Sequence, residues 1–439
     1  MLPRSKLVDI ESSTIRKVMW RLLPLLFASY FFAYINRVNI GFALSMQGDL
    51  GLSSTIFGLG AGLFFISYFV CEIPSNLMLV RVGARRWIAR IMITWGALSM
   101  CMALVNGVSS FIALRLLLGA AEAGFFPGVI LYITYWFPSY VRARIMAWFM
   151  IAIPLSLAIA GPISNLILQN MGGVLGLADW RWLFILEGLP TVLLAFVVLI
   201  TLPDHPGKAT WLEPEQKEWL TGALAAERKR IETAHSSMGL LQALADRRTI
   251  ALAFIYFANT ASSYGVSYFL PQIIKGMGSS ATDANYLSSI PFIIGALGIF
   301  VFGVVSDRLR QYRLQLTAFA LGMTALGMAG AGLVGPSYVA IVLIALATAG
   351  TYGGKVPFWP LPSMFLTGSA AAGGIAMINS IGNLGGFVGP YAIGWVKQTT
   401  GSYSWGLGLL AIIALAGLTV ALLLQTPSHI DGEQGQDAR

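Results

Sequence analysis

The sequence predicts an all-α membrane protein, with twelve transmembrane helices in two pseudo-symmetric six-helix halves. Three observations carry that prediction. Of the 439 residues, 56% are hydrophobic and only 11% charged, against roughly 25% charged in soluble domains, so a soluble enzyme is excluded. The apolar residues fall in continuous runs close to the roughly 20 residues a helix needs to cross a bilayer, whereas a membrane barrel would alternate apolar with polar. Two landmarks also recur at offsets that agree to one residue: Gly303 follows Asn76 by 227 residues, and Gly389 follows Gly161 by 228. A fixed offset of that kind marks an internal repeat.

Turn and charge signals divide the apolar runs into helices near 20–46, 57–80, 87–106, 110–136, 144–170 and 181–202, then 249–275, 285–306, 314–334, 337–366, 372–397 and 403–425. Between the two sets lies one long polar stretch, 203–248. Its segments WLEPEQKEWL and AAERKRIE place mixed charges at helical spacing, so it reads as a solvated, partly helical linker. The expected organisation is a first half over 1–202, a cytoplasmic linker over 203–248, a second half over 249–425 and a cytoplasmic tail over 426–439. Parallel halves with a binding site between them are one of the established transporter plans.

The formal charge of +9 signals membrane orientation rather than nucleic-acid binding. Of 28 basic residues, Arg37, Arg115 and Lys355 fall inside spans and Arg181, Lys275 and Lys397 in loops of one side. The other 22 lie on the opposite side, which places it and both termini in the cytoplasm. The N-terminal MLPRSKLVDIESSTIRK lacks a short apolar segment with a small-residue cleavage site, so no signal peptide is expected. Cys71 and Cys101 sit in apolar stretches and suggest no disulfide framework. His205, His235 and His429 all fall in polar segments, so no metal site and no intramembrane histidine relay is expected. No G-x-x-x-x-G-K-[ST] is present, and Gly330, Gly332 and Gly335 spell G-x-G-x-x-G at the end of a membrane helix, with no βαβ unit to give it meaning. No cofactor is expected.

Ionised side chains inside the bilayer cost several kcal/mol and need a reason. Arg37, about seventeen residues into the first predicted helix, lies too deep to reach the interface easily, and its planar fork suits a carboxylate. It reads as an unpaired substrate-binding cation, with a structural ion pair as the alternative. Arg115 and Glu122 are seven apart and so lie about 20° apart on one helix face, some 10 Å along the axis. They read either as a salt bridge fixing packing or as a substrate cation beside a proton site. Lys355, in YGGKVPFWP, sits among glycines and prolines that break regular helix and shares a face with Trp359. It reads as a substrate contact or as a cap on free carbonyls. Glu72 is expected to gate or pack at the inner end of the second helix, and Glu187 to be structural. Gly382 and Gly386 form a small-residue pattern that lets helices approach closely.

The motifs resemble the major facilitator superfamily. Its loop after helix 2, repeated after helix 8, runs G-x-x-x-D-R-x-G-R-[RK]; the second copy here keeps Gly303, Asp307 and Arg308, and the first keeps Arg81, Gly83 and Arg85. The segments YINRVNIGFA, EIPSNLMLVRVGARRWIAR, RLLLGAAEAGFFPG and PFWPLPSMFL resemble its anion:cation symporter branch, which carries tartrate, sugar acids, phthalate and related carboxylates with protons. The resemblance covers essentially the whole chain. It implies the major facilitator fold and a transporter, not an enzyme, in the cell (inner) membrane. The implied activity is import of a small organic anion, a tartrate-like dicarboxylate or a sugar acid, with protons by alternating access; the alternative is a proton-coupled exporter. Arg115 and Glu122 match the branch's helix 4 arginine and glutamate, and Tyr34, Tyr68, Trp359 and Asn379 match positions that line its central cavity. Asn36, counted among the expected substrate-binding residues, stands where the branch commonly has aspartate, so either one proton site is missing or coupling runs through Glu122 alone. Arg81, Arg85, Asp307 and Arg308 are expected in gating or structure. The expected partners are the anion, protons and the lipid bilayer, with no nucleic acid, and the protein is expected to be a monomer.

Overall fold

The computed structural model describes residues 4–233, 245–364 and 368–424. The first part of the chain forms α1 (Arg4–Val38), α2 (Leu44–Asp49), α3 (Ser54–Val82), α4 (Ala84–Cys101), α5 (Val108–Glu122), α6 (Phe125–Trp136), α7 (Ser139–Met150), α8 (Ala152–Met171), α9 (Asp179–Thr201) and α10 (Pro214–Thr233). The second forms α11 (Arg247–Lys275), α12 (Ala281–Leu287), α13 (Ser289–Arg308), α14 (Arg313–Val334), α15 (Tyr338–Gly353), α16 (Lys355–Phe358), α17 (Gly368–Asn383), α18 (Gly385–Thr400) and α19 (Tyr403–Leu423). No strand occurs among the described residues. Residues 426–439, and with them His429, lie outside the description, as does His235.

Among the described residues, ten rods are long and apolar enough to cross a bilayer. The remaining two of the twelve spans are α11 and the α17–α18 pair, which are less apolar for a physical reason. Every residue of α11 from Ala258 to Ile274 is buried, so Asn259, Thr260, Ser262 and Ser263 meet protein instead of lipid. A helix enclosed by other helices is free to carry polar groups.

The contacts divide the chain into two compact units. Unit 1 holds the chain up to Asn39 and from Ile66 through α10; unit 2 holds Ile40–Phe65 and α11 onward. In unit 2 the first part of α3 packs on α18, where Gly58 lies against the Pro390 carbonyl and Gly62 against Phe387. Gly389 does the same on α11, so close to the Ala261 carbonyl that no Cβ would fit. Small residues let backbones approach and gain dispersion contact, the main attraction between helices in lipid.

The structure departs from the sequence reading at several points. The first helix ends at Val38, not near 46, because the chain tightens into a 3-10 turn at Asn39–Gly41, where asparagine and glycine are weak helix formers. The predicted helix over 110–136 is interrupted at Ala123–Gly124. Gly124 is left-handed, with φ +85°, and any Cβ there would overlap the Ser75 hydroxyl on α3. The linker is also less solvated than expected. Glu213 pairs with Lys17 at 3.1 Å, Glu227 pairs with Arg142 at 2.8 Å and accepts from the Ser139 amide at 2.9 Å, and Trp211 stacks on Trp136 at 5.7 Å. The break predicted around Lys355 is present: α15 stops at Gly353 and the single turn α16 begins at Lys355.

The Gly124 break is a test of the whole of unit 1. Gly124→Ala is expected to cost about 1–2 kcal/mol from its left-handed backbone alone, plus the overlap with Ser75. It should lower the melting temperature in detergent, and an unchanged melting curve would show that the break tolerates a side chain.

Candidate functional site

In unit 1, α1 presents Tyr30, Tyr34 and Arg37 at spacings of four and three, one face of a helix. The Arg37 guanidinium donates through Nη2 to Glu122 Oε1 in a buried ion pair. It lies 4.9 Å from the Tyr34 ring centroid and 5.7 Å from that of Tyr68, within the range of cation–π attraction. Tyr30 supports Tyr34 edge-on at 5.1 Å and stacks on Phe149 at 4.4 Å. The fork is thus held between two aromatic faces and one carboxylate.

This geometry corrects the expectation that Arg37 is an unpaired cation, and it gives Glu122 a partner on another helix. Arg37 is 7% exposed and Glu122 1%; neither could keep its charge alone at that depth, and removing one partner of such a pair costs about 3–5 kcal/mol. Arg37 occupies the last turn of α1, where a cation meets the helix dipole favourably. Glu122 is the last residue of α5, where a carboxylate meets it unfavourably, so the arginine is what makes a charged Glu122 tenable. Arg115, on the same helix as Glu122, is fully buried in unit 1. Glu72 is buried too, one turn beyond Tyr68 on α3 and ten residues short of that helix's end.

Asn36, expected to bind substrate, is engaged elsewhere. Its Nδ2 donates to the Phe32 carbonyl at 2.8 Å and the Thr191 hydroxyl at 2.9 Å, and its Oδ1 accepts from Ser99 at 2.7 Å. Both N–H groups and the carbonyl are therefore used in tying α1 to α4 and α9, and the amide is not counted in the site. Sequence reading missed Ser99 and Thr191; buried hydroxyls in otherwise apolar runs were their one signal.

Unit 2 has its own polar centre. Lys355 Nζ lies 4.9 Å from the Tyr352 ring, and the Tyr352 hydroxyl pairs with Ser267 at 3.2 Å. Asn259 Nδ2 donates to the Thr351 carbonyl at 2.8 Å, and the Thr351 and Thr324 hydroxyls pair at 3.1 Å. Asn259, Thr317, Gly354 and Lys355 help line a cavity of about 10 Å³, room for one water at most. Trp359 packs edge-on against Tyr256 at 4.9 Å, and Asn379 is buried on α17.

A family profile described as Major Facilitator Superfamily matches residues 26–390 and 252–438. The chain belongs to the Major Facilitator Superfamily. It is 46% identical over 438 residues to an Agrobacterium vitis protein named "Putative tartrate transporter", covering 96% of this chain and 94% of that one. It is 43% identical over 420 residues to the "Quinolone resistance transporter" of Acinetobacter baumannii, covering 95% and 96%. Among solved structures it resembles an inward-facing bacterial homologue of the human lysosomal transporter Spinster, with TM-score 0.72 and 16% identity over 92% of this chain and 96% of that one. The protein is a multi-pass membrane transporter of this superfamily and not an enzyme.

The superfamily's loop signatures occupy helix ends. Arg81 is exposed in the last turn of α3, and the Arg85 amide donates to Asp204 Oδ1 at 3.1 Å, so a residue beyond α9 caps α4. Asp204 escaped sequence reading because it lies 119 residues from the amide it caps. Asp307 and Arg308 end α13, exposed, with Arg310 Nε donating to the Asp307 carbonyl at 3.3 Å.

The Asn36 network separates packing from binding. Asn36→Ala leaves Ser99 and Thr191 without their buried partner, a loss of about 1–3 kcal/mol, and should lower thermal stability while substrate affinity stays within a few-fold. Calorimetric melting and a binding titration on one preparation measure both; a large loss of affinity at unchanged stability would return Asn36 to the site.

Proposed function

We propose that this transporter imports a small organic anion, of the tartrate-like dicarboxylate or sugar-acid class, coupled to protons. The observation that carries the reading is the buried Arg37–Glu122 pair between Tyr34 and Tyr68. A guanidinium already bound to one carboxylate is built to exchange it for another of the same geometry. An incoming carboxylate competes for Arg37, and Glu122 is then left with an uncompensated buried charge that protonation removes. Substrate release returns Arg37 to Glu122 and expels the proton. Each half-reaction supplies what the other lacks, and that is coupling.

Arg115 is proposed as a further substrate-binding cation in unit 1, with Tyr34 and Tyr68 orienting the fork. Lys355, Trp359 and Asn379 are proposed as substrate contacts of unit 2. Glu72, Arg81, Arg85, Asp307 and Arg308 are proposed for gating and helix-end structure. The relatives named for tartrate support the substrate class. The cycle is alternating access by the halves 1–202 and 249–425, joined by 203–248, in a monomer in the cell membrane with both termini cytoplasmic. Export is the second reading, and the relative named for quinolone resistance favours it.

Uptake of labelled tartrate and sugar acids into proteoliposomes, with a proton gradient of either sign, tests the reading. An inward gradient should drive accumulation; accumulation driven only by the opposite gradient would favour export. Glu122→Gln should still bind the anion, but under a one-unit pH gradient its accumulation should fall about tenfold, the thermodynamic value of one lost proton. Undiminished accumulation by that variant would remove Glu122 from the coupling.

Lys355 yields a separate expectation. Losing one charge-assisted contact costs about 1.5–3 kcal/mol, roughly ten- to a hundred-fold in affinity. Lys355→Met should weaken dicarboxylates by that factor and matched monocarboxylates far less. Equal weakening would reduce the lysine to a helix cap and shift the substrate toward sugar-acid monoanions.

A further inference from the structure

Glu187 is a further membrane-buried carboxyl in unit 1, besides Glu122 and Glu72, and is set apart from the Arg37–Glu122 pair. It lies on α9, one turn before Thr191, and is 3% exposed. Ser164 on α8 donates to its Oε1 at 2.8 Å. Its Oε2 is buried and accepts no hydrogen bond. Next to it, Gly188 packs so closely on α4 that a Cβ would come within 3.0 Å of the Gly96 carbonyl.

The charged groups around it have other partners or lie far off. On α1, Arg37 is paired with Glu122, and the next charge back, Arg21, is separated by four helical turns. The charges of α4 cluster in its first two turns, where Arg90 lies over the Trp87 ring at 4.3 Å. On α9 itself, Arg181 donates to the Ala103 carbonyl and lies over the Trp180 ring, and Asp179 bonds the Trp180 amide. Helix α8 has no ionisable residue. The tyrosines of α1, Tyr30 and Tyr34, sit in the aromatic cluster around Arg37.

A carboxylate here would keep a full charge out of water with one bare oxygen and no cation, which is unfavourable. A carboxylic acid fits the same contacts: its carbonyl oxygen takes the bond from Ser164 and its hydroxyl oxygen takes none. We propose that Glu187 is held as the neutral acid and is a second proton site of the transport cycle, additional to Glu122. The inference rests on the proton-coupled reading above and deepens it. With two sites, each dicarboxylate would move with two protons, and transport of the dianion would be electroneutral.

Two measurements on the reconstituted protein test this. Infrared spectra at neutral pH should show a protonated-carboxyl band that Glu187→Gln removes and that Ser164→Ala, which deletes the donor, shifts in frequency. Proton counting with a pH dye, at a clamped membrane potential, should give two protons per tartrate in the native protein and one in Glu187→Gln. Absence of the band overturns the proposal whatever transport does, and should Glu187→Gln not fold, the Ser164→Ala shift alone decides it. A band with an unchanged proton count overturns the transport role and leaves a structural acid. If Glu122→Gln loses a proton and Glu187→Gln does not, only the proposal for Glu187 fails; the converse pattern sinks the reading of Glu122 and keeps this one. A native protein that moves no protons overturns both.

Discussion

The constraint on which unit 1 depends is the expense of holding a charge where neither water nor headgroups reach it. Arg37 and Glu122 meet it by neutralising each other, and their surroundings are arranged around that pair. The glycine break after Glu122 ends α5 at the carboxylate, the early end of α1 puts Arg37 in its last turn, and two tyrosine rings flank the guanidinium. Such a pair adds little net stability over an apolar substitute of the same shape. Its value is that it can be opened by a competing ligand of the right charge, which a packed apolar core cannot.

Unit 2 satisfies the same constraint differently. Its central helix α11 is lined with small polar residues, of which Asn259 and Ser267 pair with a carbonyl and a hydroxyl of a neighbouring helix instead of with charges. Lys355 is placed at a break between α15 and α16, over an aromatic face. One unit therefore holds its polarity in an ion pair and the other in a hydrogen-bonded network with a single cation beside it.

How much could be read from the sequence depended on how local each determinant is. The spans and the break at Lys355 were legible because hydropathy, glycine and proline act over a few residues. The twelve-helix count survived even for α11, whose polar residues lower its hydropathy, because the runs were read for continuity. The arginine and glutamate of the site were visible as isolated charges in apolar runs. Their pairing was not: the spacing of Arg115 and Glu122 on one helix face pointed to a neighbour, whereas the observed partner of Glu122 is 85 residues away in sequence. The same distance problem hid Ser99, Thr191 and Asp204. The break at Gly124 was missed because a glycine within an apolar helix is ordinarily tolerated, and only the contact with Ser75 makes it obligatory.

The docked linker bears on how this protein can be engineered. Its helix α10 and the residues before it are tied to unit 1 through Lys17, Arg142 and the Trp136–Trp211 stack. A fluorescent reporter or crystallisation partner inserted within 211–233 would have to displace those contacts, although polarity alone marks the whole segment as permissive. The Lys17–Glu213 pair is weak at an exposed surface, so such a fusion would still fold, but with that face of α1 and α7 stripped of its acidic cover.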